Sequence, residues 1–413
     1  MKILFSTLGY KPAWRLGGPV ISVASTAEAL VRRGHEVTVF ATDSNLDQTL
    51  DVPTDRFLDV DGVKVRYFQR IQLASRLVPW AHYFSKSVGY LYSPEMRRAL
   101  DALVPSVDLI HTHMPFVYPT YAAAHAAFRF RKPLFYSQRG VLNPASLKFR
   151  SLKKAPYLRV VEMPILRRAE TLIALTEAEK ASYECLGLHD RIRIIPNGID
   201  ADRYSHPPNP ADIEPLGVRP EHKVVLFMAR LHPSKGADRL LEAFLALTGE
   251  FPNAILVLAG PDEFGLERMF LGRAMSAGLR GKVIFPGMVT GSLKLSLLAR
   301  ADLFCLPSNG EGFSMAVLEA LASSTAVLLT PGCNFPESER AGAGRVVRND
   351  VASLTEGLRD LLSTPHELRQ MGCRGVRLVN ENYTWNRIAD SLLEAYADGV
   401  ARYRSNLTAI SAR

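Results

Sequence analysis

The chain has 413 residues, 47% hydrophobic and 9% aromatic, which is enough for two globular domains with full cores. All of the +9 net charge lies in residues 1–205, with 28 Lys and Arg against 19 Asp and Glu, but no nucleic-acid recognition motif accompanies it, so nucleic acid is not an expected partner. Four scattered cysteines argue against a zinc site or disulfide framework, and no apolar run is long enough for a signal peptide or a bilayer crossing, so a cytoplasmic location is expected.

The first half of the chain alternates predicted strands with predicted helices. An apolar run at 2–6 predicts a buried strand, an amphipathic pattern over 20–33 predicts a helix that ends at Gly34, and 36–41 is the next predicted strand. Strand, helix and strand at this spacing form a βαβ unit and imply a parallel sheet. A further helix is expected over 94–103, and further strands are predicted at 63–68, 109–113, 134–138, 171–175 and 192–195.

A Pro-rich break at 207–210 predicts a linker to a second series of strands, at 224–228, 255–259, 283–285, 302–306, 326–329 and 345–347. The expected architecture is therefore α/β, with two Rossmann-like domains at 1–205 and 206–413. A ligand is expected in the cleft between them, at the carboxyl ends of the strands. The last helix, at about 384–400, is a candidate to pack back on the first domain.

Two glutamates, Glu311 and Glu319, stand eight positions apart where a predicted strand leads into a helix. Free N–H groups and the positive dipole end at a helix start suit a phosphate. Two carboxylates beside a phosphate would repel it unless they bind hydroxyl groups that lie on either side of the phosphate. A nucleotide-sugar has this layout: ribose hydroxyls, a diphosphate, and then sugar hydroxyls. Dipole complementarity alone also explains acidic residues near a helix start, and for an isolated motif it would be the better explanation.

Two cations, Arg230 and Lys235, follow the predicted strand 224–228, and Gly236 precedes a predicted helix. An Arg fork and a Lys point charge at the carboxyl end of a strand suit a departing diphosphate. A solvated basic loop is an equally good explanation of these residues taken alone.

His111 and His113 end another predicted strand, with their side chains on the same face, and Arg139 follows the next strand. One histidine could face the expected cleft. A histidine at a strand end is nevertheless more often a satisfied surface or core group.

Several cofactor motifs are missing from the sequence. It has no G-x-G-x-x-G after the first strand and no phosphate-binding G-x-x-x-x-G-K-S/T, which disfavours nicotinamide and ATP-hydrolysing chemistry. It has no Asp-x-Asp at a strand end to chelate a metal on a diphosphate. No cofactor and no metal are therefore predicted, and the two cations and the helix start take over the role of a metal ion.

Together these segments resemble glycosyltransferase family 4, whose members are retaining enzymes of the GT-B fold. The resemblance covers essentially the whole chain. It rests on Gly17-Gly18, the His-x-His ending at His113, the stretch 195–200 (Ile-Pro-Asn-Gly-Ile-Asp), Arg230 with Lys235-Gly236, and Glu311-x7-Glu319. The stretch 137–144 (Ser-Gln-Arg-Gly-Val-Leu-Asn-Pro) resembles one found in members that assemble bacterial surface polysaccharides.

The resemblance implies a role for each matching residue. His113, Arg230, Lys235 and Glu311 form the implied catalytic set, in which Glu311 binds the donor sugar and the two cations neutralise the diphosphate. Arg139 lies on the acceptor side, and Glu319 binds the ribose. The remaining implied donor-binding residues are Gly17, Gly18, Phe313, Ser314, Met315, Ala316, Val289 and Lys294, with Met288 beside the last two near the base. Ser314 replaces a usual glycine, and Ala-Ser-Ser-Thr-Ala-Val at 322–327 replaces A-x-G-x-P-V; both put loop geometry and donor choice in question.

The expected function is transfer of a sugar, with retention, from a UDP-sugar or GDP-sugar to a lipid-linked oligosaccharide or growing glycan at the cell surface. Since no carboxylate nucleophile is evident, front-face attack assisted by the leaving phosphate is favoured. A GT-B nucleotide-sugar epimerase and a catalytically silent partner in polysaccharide assembly are the alternatives.

Basic and aromatic residues in the first half could rest on an anionic membrane surface, which would make the protein peripheral on the cytoplasmic face. An ordinary basic helix face explains them equally well. These residues lie at 66–76, at Trp80, Tyr83 and Phe84, at 148–159, and at Arg167 and Arg168.

Overall fold

A computed structural model describes residues 1–46, 48–71, 91–143, 147, 151–206 and 209–411. The chain divides into two compact units. The first comprises Met1–Gly198 and Trp385–Arg413, and the second is Ile199–Thr384. Each is built around its own mostly parallel sheet with its own buried apolar core.

The first unit contains an eight-stranded sheet in the order β10-β9-β8-β7-β1-β2-β6-β5. Only the short β5 runs antiparallel to its neighbour. The strands are β1 (Lys2–Ser6), β2 (Glu36–Thr42), β5 (Leu58–Val60), β6 (Val63–Phe68), β7 (Leu109–His113), β8 (Leu134–Ser137), β9 (Thr171–Ala174) and β10 (Ile192–Ile194), and β3 (Ser44–Asn45) pairs separately with β4 (Gln48–Thr49).

Helices connect most parallel strands of the first unit, as in βαβ crossovers, whereas β2 leads to β6 through the short strands β3, β4 and β5. The helix Pro94–Leu103 begins after Ser93, whose side chain accepts a capping hydrogen bond from the amide of Met96. The helices are α1 (Gly18–Arg32), α2 (Pro94–Leu103), α3 (Tyr118–Arg129), α4 (Ser151–Tyr157), α5 (Met163–Arg168) and α6 (Glu177–Glu184), with a π-helical turn at Leu158–Glu162 between α4 and α5.

The second unit contains a six-stranded parallel sheet in the order β13-β12-β11-β14-β15-β16, the doubly wound order of a Rossmann sheet. Strands β12 and β14 are apolar and buried throughout, as expected for strands covered on both faces. The strands are β11 (Lys223–Met228), β12 (Ala254–Ala259), β13 (Val283–Gly287), β14 (Leu303–Leu306), β15 (Ala326–Leu329) and β16 (Gly344–Val346). The helices are α7 (Pro210–Ile213), α8 (Ala237–Leu245), α9 (Leu266–Ser276), α10 (Gly291–Arg300), α11 (Met315–Ala322), α12 (Glu337–Arg340), α13 (Val351–Ser363) and α14 (Pro365–Asn382).

The last helix, α15 (Trp385–Ser411), belongs to the first unit. Asp390 pairs with Arg33 at the end of α1 (2.8 and 2.9 Å), and the ring of Tyr396 packs edge-on against Phe135 of β8 with centroids 4.8 Å apart. An added Cβ at Gly399 would lie 2.6 Å from Phe135, so this helix approaches the sheet closely. The chain thus returns to its first unit after completing the second.

The boundary between the units differs from the predicted one at residue 205. The Ile199 side chain is buried in the core of the second unit, and its amide donates to the carbonyl of Tyr383 (2.7 Å). The chain therefore enters the second unit directly after Gly198 and leaves it after Thr384. The prediction was displaced because it used the Pro-rich break at 207–210 rather than the first buried side chain; Pro207 and Pro208 themselves lie outside the described residues.

All the predicted strands are present within one or two residues of their predicted bounds. The two-residue strands β3 and β4 and the three-residue β5 were not predicted. These pieces are too short to show the alternation of apolar and polar residues that identifies a strand in a sequence.

Candidate functional site

The candidate site of the second unit lies where the order of its strands reverses, between β11 and β14. Loops that leave the carboxyl ends of these two strands face the crevice where doubly wound sheets bind ligands. Lys235 follows β11, and Glu311 follows β14. The predicted cation and carboxylate therefore come from the two central strands.

Close backbone approach fastens these loops to each other. Gly236 has φ +74°, and a Cβ there would lie 2.1 Å from the carbonyl oxygen of Pro307, so only glycine fits. The amide of Asn309 donates to the carbonyl of Ser234 (2.8 Å), and the amide of Glu311 donates to that of Gly332 (2.7 Å). The backbone that carries Lys235 and Glu311 is thus held by hydrogen bonds and by steric fit.

Lys235 and Glu311 form an ion pair in which Nζ lies 2.6 and 2.7 Å from the two carboxylate oxygens. Both side chains are mostly buried, with 16% and 12% of their surface exposed. The lysine offsets the negative charge that would otherwise repel a phosphate beside Glu311. The sequence predicted separate roles for the two residues, on the diphosphate and on the sugar, whereas the structure joins them in an ion pair.

Helix α11 starts directly after this pair, with Ser314 as its N-cap residue. Within the described part of the chain, the Ser314 side chain makes no capping hydrogen bond to the helix start. The first amides of α11, including those of Met315 and Ala316, precede the first intrahelical bonds and are oriented to bind an anion. Phe313 packs near the rings of Phe335 and Tyr383, with centroids 5.9 and 6.2 Å away. The predicted helix start is therefore present, and its role in binding a phosphate stays a prediction.

Glu319 lies on the second turn of α11 and is buried. Its Oε1 accepts from Lys294 Nζ of α10 (2.6 Å) and from the Tyr204 hydroxyl (3.0 Å). The structure thus pairs Glu319 with Lys294, the residue that the family resemblance places near the nucleotide base. Val289 is also buried, whereas Met288 beside it is 72% exposed.

Tyr204 was not predicted as a site residue. A tyrosine just before a predicted linker carries no distinguishing signal in the sequence. Only the folded second unit brings it onto Glu319.

Arg230 is held by a different carboxylate from the one that pairs with Lys235. Its Nη1 lies 2.9 Å from Glu263 Oε2, and both side chains are about half exposed. Asp262, the neighbour of Glu263, accepts from three amides at the start of α9, so this loop is firmly built. Arg230 is consequently available at the surface of the second unit on a well-ordered loop.

In the first unit, the strand order reverses between β1 and β7. Gly17 has φ +78° and is the N-cap of α1, which begins at Gly18; a Cβ at either glycine would meet no described atom within 4 Å. The two glycines therefore leave open space at the start of α1. His113 ends β7 at the same edge of the sheet, with the edge of the Phe5 ring against it (4.9 Å).

The rings of His111 and His113 lie with centroids 4.1 Å apart and planes tilted by 40°, and both are buried. Burial lowers the pKa of both imidazoles well below the usual value, and the nearby Arg139 charge lowers it further. Both rings are consequently neutral at physiological pH.

Arg139 lies at the centre of a hydrogen-bond network in the first unit. It occupies a left-handed turn (φ +52°), donates to Asn197 Oδ1 (2.7 Å), and places Nη2 3.4 Å from His113 Nδ1. Burial lowers the pKa of its guanidinium to about 10, so it stays protonated at neutral pH. The structure thus brings together Arg139, His113 and Asn197, which belongs to the 195–200 motif.

Glu179 is a further buried carboxylate beside this network that the sequence analysis missed. Its Oε2 accepts from the amide of Leu175 (2.9 Å), and burial raises its pKa to about 7, an effect that the charge of Arg139 partly offsets. A glutamate three residues after Thr176 reads in sequence as an ordinary helix-capping residue.

The structure contradicts part of the predicted membrane-binding surface. Arg70 is not exposed: it lies 3.6 Å from Asp43, and its guanidinium donates to Ser44 Oγ and to the carbonyl of Gln48 (both 2.8 Å). A buried, paired guanidinium is not available to a lipid headgroup. Positions 72–90, which include Trp80, Tyr83 and Phe84, and residues 148–150 lie outside the described residues.

The described residues show no metal-binding cluster and no membrane-spanning helix. Among those residues, no group of three or more His, Cys, Asp or Glu side chains could hold a metal ion. No described helix combines the length and apolar character needed to cross a membrane.

Comparison with known proteins identifies the class that this fold and site define. The model of glycosyl transferases group 1 matches residues 209–376, and the model of glycosyltransferase family 4 matches residues 16–203. The protein is therefore a glycosyltransferase. It belongs to glycosyltransferase family 4 and has the two-domain α/β GT-B fold, which confirms the resemblance seen in the sequence.

Individual relatives span nearly the whole chain. A D-inositol 3-phosphate glycosyltransferase of Nocardia farcinica is 28% identical over 395 residues, covering 92% of this chain and 84% of the relative. An uncharacterized glycosyltransferase of Methanocaldococcus jannaschii is 26% identical, with 96% and 98% covered. The crystal structure of Anabaena HepE in complex with UDP and glucose superposes with a TM-score of 0.69 at 20% identity, covering 96% of this chain and 100% of that one.

Proposed function

We propose that this glycosyltransferase moves a sugar from a nucleoside-diphosphate-sugar to a hydroxyl of a lipid-linked or polysaccharide acceptor, with retention of the anomeric configuration. The observation that carries the proposal is the Lys235–Glu311 ion pair directly before the amino end of α11, with Glu319 buried on the next turn. A cation and free amides, with one carboxylate on either side of the amides, match the groups of a nucleotide-sugar. UDP in the structure of Anabaena HepE agrees with such a donor.

In the proposed mechanism, negative charge builds on the β-phosphate oxygen as the bond to the sugar breaks. Lys235, Arg230 and the amides of α11 stabilise that charge, and they do so most in the transition state, where it lowers the barrier. These groups replace a metal ion on the diphosphate. Glu311 accepts hydrogen bonds from the sugar. The acceptor hydroxyl attacks from the face that the phosphate leaves, and its proton passes to the departing phosphate oxygen as the new bond forms.

For the acceptor, the basic first unit and the sequence stretch 137–144 favour an anionic, membrane-bound glycan over a small neutral sugar. The inositol phosphate named for the Nocardia relative is also anionic, and it is the comparison acceptor to test. We further propose that the protein works at the cytoplasmic face of the membrane. Co-sedimentation with vesicles tests this: binding should rise with the fraction of anionic lipid, and equal binding to neutral vesicles would contradict the electrostatic attachment.

The experiment that tests the proposed activity is a thermal-shift screen against UDP-, GDP- and ADP-sugars, followed by product analysis with the stabilising donor. A ligand present at 100 times its Kd stabilises the folded state by about 2.7 kcal/mol, which a screen detects readily. Incubation with donor alone should give slow hydrolysis. An epimerised nucleotide-sugar would point to an isomerase instead, and no stabilisation by any donor would favour a silent assembly partner.

If a product is obtained, its anomeric configuration decides the stereochemical part of the proposal. Retention is expected, and NMR of the new glycosidic linkage, whose anomeric configuration is stable in water, measures it. Activity that survives excess chelator is expected as well, since the side chains named above supply the positive charge.

A further inference from the structure

His111 and His113 look alike in the sequence, but their hydrogen bonds distinguish them. Both nitrogens of His111 are engaged: Nδ1 lies 2.6 Å from the hydroxyl of Tyr396, and Nε2 lies 2.8 Å from that of Ser137. Both partners belong to the first unit, so the hydrogen bonds of His111 stabilise the packing of that unit. The ring leaves no nitrogen for a ligand.

His113 keeps one ring nitrogen uncommitted. Its Nδ1 lies 3.4 Å from Arg139 Nη2, whereas its Nε2 is buried and has no hydrogen-bond partner among the described residues. Buried polar groups in proteins are nearly always paired, so an unpaired one calls for an explanation. A ligand atom that binds at this point is such an explanation.

The chemistry of the neighbour decides which nitrogen carries the proton. A guanidinium can only donate hydrogen bonds, so His113 Nδ1 must accept from Arg139. Burial and the two neighbouring groups, His111 and Arg139, hold the pKa of His113 well below its usual value, so the ring carries a single proton at neutral pH. That proton must then lie on Nε2.

We propose that Arg139 is a positioning residue that fixes His113 as the neutral Nε2–H tautomer, so that His113 donates a hydrogen bond to a hydroxyl oxygen of the transferred sugar. This inference rests on the proposed function, because it takes a sugar as the acceptor of the bond. It changes the role expected for Arg139, which the sequence placed directly on the acceptor side. It also excludes His113 as a general base, since its free nitrogen already holds the proton.

Arg139 is well held for this task. Arg139 and Gly140 occupy consecutive left-handed positions (φ +52° and +78°), and Gln138 ties the turn by accepting from the amide of Leu142 (3.1 Å) and donating to the carbonyl of Glu179 (2.8 Å). The Arg139 guanidinium also donates to Asn197 (2.7 Å). Its direction toward His113 is therefore set by the surrounding structure.

The tautomer can be measured without any substrate. In protein labelled with ¹⁵N-histidine, long-range ¹H–¹⁵N spectra distinguish a protonated from an unprotonated ring nitrogen, and comparison with His113→Gln identifies the signals of His113. We expect wild type to show a protonated Nε2 and an unprotonated Nδ1 at neutral pH. A protonated Nδ1 in wild type would overturn the proposal.

Variants show whether Arg139 is the cause. Arg139→Leu should shift the His113 signals toward a mixture of tautomers, and Arg139→Lys, which keeps a donating cation, should restore most of the Nε2–H form. Tyr396→Phe is the matched control: it removes the partner of His111 and should leave the His113 signals in place. An unchanged tautomer in Arg139→Leu would overturn the role of Arg139. Should that variant fail to fold, Arg139→Lys and wild type still decide the question, since a Lys variant that shows the Nδ1–H form contradicts the proposal.

Kinetics then connect the tautomer to catalysis. Arg139→Leu should lower kcat at least about tenfold with a small change in donor KM, and Arg139→Lys should recover part of the loss. If Arg139→Leu only raised the KM for the acceptor, Arg139 would bind the acceptor directly, and the proposal would be overturned. Failure of the proposed function is a separate result: the wild-type tautomer would be as expected, but no nucleotide-sugar would be turned over.

Discussion

Lys235 and Glu311 come from loops after two different strands of the second unit and meet with Nζ 2.6 and 2.7 Å from the two carboxylate oxygens. The pair places a cation and an anion at the point where a diphosphate and a sugar would meet. The ion pair keeps each side chain oriented. In the proposed donor complex, Lys235 would also contact the diphosphate and Glu311 the sugar.

Because the pair is mostly buried, Lys235→Ala should leave Glu311 as an uncompensated charge and destabilise the protein by about 1–3 kcal/mol. It should also lower kcat about a hundredfold, because one transition-state donor is lost. The double variant Lys235→Ala with Glu311→Gln should recover part of the stability. Thermal unfolding of the four proteins of this cycle measures the coupling, and strictly additive changes would contradict an energetically significant pair.

Glu319 is predicted to recognise the ribose of the donor. Glu319→Gln should weaken donor binding about tenfold, because a charged acceptor is replaced by a neutral one. The sharper measurement compares a ribonucleotide donor with its 2′-deoxy analogue. Wild type should discriminate between them and Glu319→Gln much less, whereas equal discrimination by both proteins would place the ribose elsewhere. Tyr204→Phe removes a partner of Glu319 but keeps its charge, so it should have the smaller effect.

Arg230 should matter for turnover and little for stability. Its ion pair with Glu263 is half exposed, and such pairs contribute about 0–1 kcal/mol. Arg230→Ala should therefore keep the Tm nearly constant and lower kcat about a hundredfold. Arg273→Ala is the matched control, since Arg273 forms a similarly exposed pair with Glu242 (2.8 Å) in the same unit. Turnover close to wild type in Arg230→Ala would contradict its role on the diphosphate.

Gly236 is predicted to tolerate no side chain. Gly236→Ala combines a left-handed backbone (φ +74°) with a Cβ 2.1 Å from the carbonyl oxygen of Pro307, so it should destabilise the second unit by about 2 kcal/mol or more and disturb Lys235 next to it. At Gly249 an added Cβ would meet no described atom within 4 Å, and Gly249→Ala should change stability by less than about 1 kcal/mol. Equal melting temperatures for the two variants would refute the close approach.

Glu179 should make stability depend on pH. Burial raises the pKa of its carboxyl from about 4.5 in the unfolded chain to about 7 in the folded one, so the folded state binds this proton more tightly. Its contribution is most favourable below pH 4.5 and is lost as the pH rises to 7, by about 3 kcal/mol. The stability difference between wild type and Glu179→Gln, measured by urea unfolding, should therefore change across this window.

The control for this pH effect is Glu177→Gln, a change at an exposed position on the same helix. It should leave the pH dependence unchanged. Parallel curves for wild type and Glu179→Gln would contradict the expected burial of the Glu179 carboxyl.

The sequence by itself determined the two α/β series and the family, and it identified Lys235, Glu311 and Glu319 as candidate donor-binding residues, a role that stays a prediction. Those features are local: apolar runs of strand length, glycines at turns, and charged residues directly after strands are all legible along the chain. Lys235, Glu311 and Glu319 could be predicted because a parallel sheet brings the carboxyl ends of its strands to one edge.

What only the tertiary structure decided depends on contacts between distant parts of the chain. The pairing of Lys235 with Glu311, the hydroxyl of Tyr204 on Glu319, and the return of α15 to the first unit join residues between 76 and 285 positions apart. The difference between His111 and His113 is of the same kind. Both lie on one face of one strand. Tyr396 and Ser137, which belong to other elements, bond both nitrogens of the first ring, whereas Arg139 contacts one nitrogen of the second ring and no described residue bonds its Nε2.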